Sequence, residues 1–467
     1  MKLNYKKTVL VGFAFFLISA FWQAYDAIVP LILTNHFGLP QTASGFVMSF
    51  DNVLAVFLLP VFGALSDKVK TRYGKRTPFI LIGSVIAMIS FVVLTVVDNI
   101  QLAKVIELVG PDGGELSAEA EKIIAEEVLK LTLENPWPLI GFVATLLVVL
   151  IAMATFRSPA VALMPDVTIK PLRSKGNAII NLMGTAGGIS VLILGMIFGT
   201  SGDKYMKYTG YVLAVVSVML LGLIVFILTV KEKKWAEEME EETERLGLCA
   251  VEEERQESTE VRSLGKAEFK SLILILASVA LWYVGYNSIT SKYSVYAENV
   301  LGFDFNFTLI IAQVAAIISY IPVGILASKF GRRKTILVGI IILSSAFFAG
   351  NFITSKSPEL IMFPIFILAG IGWATINVNS FPMVVELAKG GDVGKYTGFY
   401  YTASMAAQIV APILSGLLYD LISMRAVFFA FGTVFVALSF VTMFFVKHGD
   451  SIPEKTGILE SLDVDND

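Results

Sequence analysis

Twelve stretches of about twenty apolar residues follow one another along this sequence, and a chain built that way has almost no choice of solvent. They cover residues 8–33, 43–66, 78–97, 138–162, 177–200, 209–230, 269–289, 306–327, 335–353, 360–384, 397–419 and 425–447. A helix rises about 1.5 Å per residue and bilayer hydrocarbon is about 30 Å thick, so each stretch is long enough to cross once. Composition agrees, with 55% hydrophobic and only 16% charged residues, against about 25% charged in a typical soluble chain. The first stretch is no cleavable leader: it is too long, carries Trp22, Gln23 and Asp26, and lacks a small-x-small exit. The single cysteine, Cys249, excludes an internal disulfide and a thiolate-rich metal site.

Basic residues set the orientation. With the N-terminus placed in the cytoplasm and sides alternating, 27 of the 36 lysines and arginines fall on the inner side, eight on the outer side and Arg157 within a span. The positive-inside rule therefore predicts both termini in the cytoplasm. The widest gap between spans, residues 231–268, divides six from six and begins with the mixed-charge run "KEKKWAEEMEEETERLG". It reads as a solvated cytoplasmic linker. The expected organisation is a first six-helix bundle over 1–230 with an extracellular insertion at 98–136. The linker follows, then a second bundle over 269–448 and a tail at 449–467. In the insertion, Ile124, Val128 and Leu131 share one helical face. This predicts a helix on the outer surface, or alternatively a lid over the entrance.

The halves echo one another. "GALS" at Gly63 and "GILA" at Gly324 lie 261 residues apart, and the same offset lays Tyr25-Asp26 on Tyr286-Asn287. Further on, at an offset of 220, Ala154–Arg157 ("ATFR") matches Ala374–Asn377 ("ATIN"), and Asp166 matches Glu386. Together these support a duplicated six-helix unit, an all-α membrane fold of two pseudo-symmetric bundles.

Between the second and third spans stands "VFGALSDKVKTRYGKRTPFI" (Val61–Ile80), and in the second half "VGILASKFGRRKTILVGI" (Val323–Ile340). The first resembles the signature loop of the major facilitator superfamily, G-x3-D-[RK]-…-G-[RK]-[RK], on Gly63, Asp67, Lys68, Gly74, Lys75 and Arg76. The second copy has Gly324, Lys329, Gly331, Arg332 and Arg333, with Ser328 where the acid would stand. The longer "SDKVKTRYGKRTPFILIG" is similar to the sucrose-transporter-like and glycoside–pentoside–hexuronide symporter branches. So are Arg157–Gly188 and Gly394–Gly416. Two branch features are absent: an arginine in the eighth span and the second-span D-x3-D-P cation site. Asp166 and Glu386, at the inner ends of spans four and ten, are placed to bridge the Lys75-Arg76 and Arg332-Arg333 clusters. They are expected to act as cytoplasmic gates that part when the halves rock.

Ionisable groups inside spans mark pathways. Asp26 and Asp51 lie at similar depth on adjacent helices, roughly 5 Å to the outer side of centre, where two carboxylates could share one proton. His36 and His448 lie at helix ends, which excludes a mid-membrane histidine relay. Proton coupling is therefore assigned to Asp26 and Asp51. A sugar offers an apolar face and a rim of hydroxyls. Trp22, Tyr25, Trp282, Tyr283, Tyr286, Asn287, Gln313, Trp373, Asn377 and Arg157 are the expected substrate contacts, with Gln408 a further amide. The expectation is a secondary transporter of a sugar or glycoside, coupled to a proton or other cation. It needs no cofactor or metal, binds no nucleic acid, and sits as a monomer in the cell membrane. An exporter of amphiphilic molecules and a non-transporting sensor are the alternatives. A lipid-acting enzyme is disfavoured because the loop acids are paired with basic residues, and no P-loop is present.

Overall fold

The computed structural model describes residues 3–109, 118–169, 172–246, 265–387 and 393–449. The expected tail beyond Gly449, the middle of the linker and the tip of the insertion lie outside the described residues. Among the described residues the chain is helical, with one isolated bridge between Thr71 and Gly74. The first half and the start of the linker comprise α1 (Tyr5–Leu31), α2 (Gln41–Met48), α3 (Phe50–Lys68), α4 (Thr77–Val109), α5 (Ala118–Glu134), α6 (Trp137–Asp166), α7 (Arg173–Phe198), α8 (Thr209–Thr229) and α9 (Glu232–Arg245). The second half comprises α10 (Lys266–Thr290), α11 (Tyr293–Tyr296), α12 (Phe305–Phe330), α13 (Arg332–Gly350), α14 (Met362–Glu386), α15 (Val393–Leu418) and α16 (Met424–Phe444). Among the described residues eleven stretches are long and apolar enough to cross a membrane, and the last, Lys395–Phe444, takes in α16 and nearly all of α15. These two part at Ser423, whose backbone is extended, so the twelve expected crossings are present in a multi-pass membrane protein.

The crossing helices carry apolar residues on every side because one flank meets lipid and the other meets protein. Phe57, Ile197 and Leu228 are 68%, 70% and 75% exposed, a belt that only hydrocarbon can cover. The duplication is visible in the packing. In the first half α1 lies against α7 and α8, α4 against α6 and α8, and α3 against α6. In the second, α10 lies against α15 and α16, α13 against α14 and α16, and α12 against α14. The first helix of each half also ends alike, in a π-helical turn at Ile32–His36 and, after α11, at Ala297–Leu301. There Asn35 and Asn299 exchange amide hydrogen bonds of 2.7 and 3.4 Å across the two halves.

An even number of crossings returns both ends of the chain to one face, the terminal face. There the signature loop is held by charge. Arg76, only 4% exposed, donates through Nε to Asp166 Oδ2 at 2.8 Å and also pairs with Asp67, while Lys75 Nζ reaches Asp166 at 3.2 Å. Glu232 of α9 accepts from the backbone N–H groups of Lys75, Arg76 and Thr77 and from the Thr77 hydroxyl, all at 2.7–2.8 Å. It thereby caps α4 from outside that helix. Gly74 makes room for this, since its φ is +117° and a Cβ there would lie 2.2 Å from the Glu232 carboxyl carbon. Lys7 pairs with Glu238 and sits over the Trp235 ring. The start of α9 is thus docked on the first half, a correction to the solvated linker expected from its charge. In the second half Arg332 pairs with Glu386, and Arg333 donates to the carbonyls of Met443 and Phe444. Gly331 ends α12, Gly63 and Gly324 lie within α3 and α12, and Lys68 and Lys329 point to the surface.

The predicted bridges therefore form, with a correction to how they act. Asp166–Arg76 joins α6 to the signature loop of the same half, and Glu386–Arg332 joins α14 to α13. Rocking one half against the other does not stretch either pair. They clamp helix ends within a half.

The opposite, far face is where the halves meet. The crossing of α2 with α15 is so close that a Cβ on Gly45 would lie 2.1 Å from the Pro412 carbonyl oxygen, and one on Gly416 would lie 2.4 Å from that of Gln41. Asp420, just past α15, accepts from the Gln41 N–H at 2.8 Å, the Thr42 N–H at 2.7 Å and the Thr42 hydroxyl at 2.6 Å. It caps α2 of the other half. Lys292, fully buried, donates to Ser44 at 2.6 Å, and Asn306 donates to Thr200 at 3.0 Å. The helix α4 runs on to Val109, beyond the crossing expected to end at 97, and carries the insertion away from the bilayer. Helix α5 buries Val128 and half-buries Ile124 and Leu131, the predicted stripe. Its Thr132 hydroxyl donates to the carbonyl of Phe37 at 2.9 Å, which seats it on the first half.

Candidate functional site

A cavity of about 480 Å³ lies between the halves at mid-height. The amide pair Gln313–Gln23 joins the halves along it, with Nε2 donating to Oε1 at 2.6 Å. Ser294 also donates to the Asp26 carbonyl there, at 3.4 Å. Its lining runs past Val161 and Tyr320 toward the terminal face and past Ala27 and Leu309 toward the far face.

Asp26 and Asp51 both line it, as does Arg157. Period matters here: on α1, Ser19, Trp22, Gln23 and Asp26 recur at three- and four-residue spacing and share one face. Asp51 accepts two hydrogen bonds from Asn52, from its N–H at 2.5 Å and its Nδ2 at 2.8 Å. Asp26 and Arg157 both lie within electrostatic reach of Asp51. The Arg157 guanidinium also stands 5.8 Å from the Trp22 ring centre, a cation–π contact. Two acids and one base therefore share this wall. The Trp22 Nε1–H is buried and has no partner among the described residues.

The other wall carries flat rings and amides. Tyr286 stacks on Trp373 at 3.7 Å and 6°, and Asn287, Gln313 and Gln408 lie beside them. The structure thus gathers Trp22, Asp26, Asp51, Arg157, Tyr286, Asn287, Gln313 and Trp373. Four other expected contacts are corrected. Tyr25 and Trp282 are fully buried behind the lining, and Tyr283 packs edge-on against Trp373 at 5.3 Å. Tyr25 sits one residue from Asp26, and about 100° of rotation turns it into the bundle, whereas Trp282 and Tyr283 lie one turn before Tyr286 and Asn287 on α10. Asn377 lines a separate small pocket beside Arg332 and Glu386. Sequence reasoning missed Gln23, whose partner Gln313 is 290 residues away, and Lys292, which reads as an ordinary loop lysine. Gln23 was findable from its spacing to Asp26, but Lys292 left no local signal. Among the described residues no group of three or more His, Cys, Asp or Glu side chains is placed to hold a metal ion.

Comparison with known proteins bears on the family. The family model for the Major Facilitator Superfamily matches residues 11–319 and 305–460. An uncharacterized MFS-type transporter of Schizosaccharomyces pombe is 30% identical over 131 residues, a match spanning 28% of the chain and 28% of that relative. Among solved structures, the inward open conformation of the xylose transporter XylE from E. coli is similar over 98% of this chain and 99% of its own. Its TM-score is 0.65 and its identity 15%. The nucleoside transporter NupG is similar over 94% of this chain and 100% of its own, with a TM-score of 0.56 and 14% identity. At such identities the likeness is one of fold.

Proposed function

The chain belongs to the major facilitator superfamily, and from that premise we propose that it moves a sugar or glycoside across the membrane by alternating access, coupled to a proton. The observation that carries this reading is the two-walled cavity, with Asp26, Asp51 and Arg157 facing a Tyr286–Trp373 stack. The stack offers a face to the C–H surface of a pyranose ring, and Asn287, Gln313 and Gln408 supply hydrogen-bonding groups for its hydroxyls. A proton bound between Asp26 and Asp51 removes a charge that would otherwise resist occlusion in hydrocarbon, so closing around substrate favours the protonated carrier.

In this reading the terminal face lies in the cytoplasm, as the bias of lysines and arginines supports, and the carrier works as a monomer in the cell membrane. The far-face bonds then make this the inward-facing state. The halves turn about the cavity, and the contacts exchanged are those of Gly45, Asp420, Lys292 and Gln23. The clamps at Asp166 and Glu386 stay shut and keep each half rigid.

Uptake of a radiolabelled sugar panel into proteoliposomes, with and without an inward proton gradient, tests the reading. Wild type should accumulate one sugar only with the gradient. Asp26→Asn should exchange that sugar across the membrane without concentrating it. If no sugar moves under any gradient, the sugar assignment fails and export of amphiphilic molecules takes its place.

A further inference from the structure

A second buried polar group sits at the far face, outside the central cavity. His36 closes the π turn after α1, stacks on Tyr208 with ring centres 5.7 Å apart, and bonds Asp98 of α4 through Nδ1 at 2.8 Å. All three belong to the first half and are fully buried. Glu298 approaches from the second half, on the π turn after α11, and is only 7% exposed. Both Glu298 carboxyl oxygens lack a partner among the described residues, and so do the Tyr208 hydroxyl, His36 Nε2 and Asp98 Oδ2. The next residue, Asn299, makes the cross-half pair with Asn35. The contact that buries Glu298 is therefore the contact that shuts the halves.

A carboxylate buried without donors is costly, whereas a protonated carboxyl can itself donate. The charged and titratable groups that face it are Lys204 and Asp203, of opposite sign in the loop before α8, and Tyr208, with Asp98 and His36 behind that ring. We propose that Glu298 is a proton-binding latch of the far face: it takes a proton from the solution there as the halves close, so that acidity on that side holds the face shut and alkalinity releases it. No part in binding the transported molecule is needed.

The sign follows from the burial. Loss of solvent pushes the Glu298 carboxyl up to about 8, with Lys204 opposing and Asp203 adding. Once the face opens and water returns, an ordinary glutamate titrates at about 4.3. The closed state is the one that holds the proton. Its advantage is complete below about pH 4.3 and is lost as pH rises to about 8, at about tenfold in the closed-to-open ratio per pH unit.

Full-length protein in lipid nanodiscs, with Cys249→Ser and spin labels at Glu134→Cys and Lys356→Cys, reports the separation directly. Both label sites are exposed at the far face, one in each half. Electron–electron double resonance at pH 5, 6, 7, 8 and 9 should show the long-distance population growing as pH rises to about 8 and levelling beyond it. Glu298→Gln, which mimics the protonated carboxyl, should hold the short distance throughout, and Glu298→Asp should keep a pH response. A wild-type distribution that stays fixed over this range overturns the latch, and so does a Glu298→Gln distribution that titrates like wild type. If the glutamine variant does not fold, loss of the response in Glu298→Asp overturns it. Because distance rather than transport is read, failure of the symport assignment leaves this test intact.

Discussion

Removing the Asp420 carboxylate should loosen the far face by an amount that can be worked out from its contacts. The group accepts three hydrogen bonds from the first turn of α2, at 2.8, 2.7 and 2.6 Å, and it belongs to the other half of the molecule. Replacing an N-cap acceptor by alanine costs about 0.5–2 kcal/mol, and a negative charge at a helix start adds about 0.3–1 kcal/mol. Asp420 is exposed, so water refills much of what is lost, and about 1–2 kcal/mol remains. That corresponds to about a 5- to 30-fold shift toward the state open on this side. The reporter is Ser294→Cys with Cys249→Ser. Ser294 lines the cavity just beneath the closure and is 3% exposed. In right-side-out vesicles, a membrane-impermeant thiol reagent should modify it about 5- to 30-fold faster in Asp420→Ala than in the parent, with Asp420→Asn between. Equal rates in parent and alanine variant would refute the reasoning, because the cross-half cap would then contribute nothing to closure.

Two further perturbations separate the faces. Gly45→Val places a Cβ where only 2.1 Å separates it from Pro412 oxygen, and overpacking costs about 1–3 kcal/mol or more. The same cysteine should then react at its open-state rate, and transport should stop. A slow, parent-like rate would show that α2 and α15 part without cost. On the terminal face, Glu232→Ala removes four hydrogen bonds to Lys75, Arg76 and Thr77. Hydrogen exchange of those amides should quicken while the Ser294→Cys reaction rate stays unchanged, and unaltered protection would show that α9 does not cap α4.

Much of this fold is legible in the residues because hydrocarbon imposes length and polarity so strictly. Span boundaries, the six-plus-six repeat and the Asp166 and Glu386 pairings follow from run length, offset and charge. The cavity is half legible. Asp26, Asp51 and Arg157 stand out because charge inside a span is rare, yet aromatic residues are common everywhere in such helices. Trp373 lines the cavity and Trp282 does not, although Trp282 lies one turn from the lining residue Tyr286, so packing against neighbouring helices decides which ring is reached. The far-face closure is nearly silent in sequence, because Gly45, Asp420, Lys292 and Glu298 acquire meaning only through partners in the opposite half. The docking of Glu232 was masked by its neighbours, a run of solvated charges in which one carboxylate is buried.

The two walls of the cavity have separate ancestries. Every charged residue among those lining it, Asp26, Asp51 and Arg157, comes from the first copy of the duplicated unit, while the Tyr286–Trp373 platform comes from the second. Where the first copy has Asp26, the second has Asn287. Duplication followed by divergence has thus put charge on one heritable segment and ring recognition on another. Substitutions in the second half could retune what is recognised while leaving the charged wall unaltered, and charge could be lost from the first half without erasing the platform.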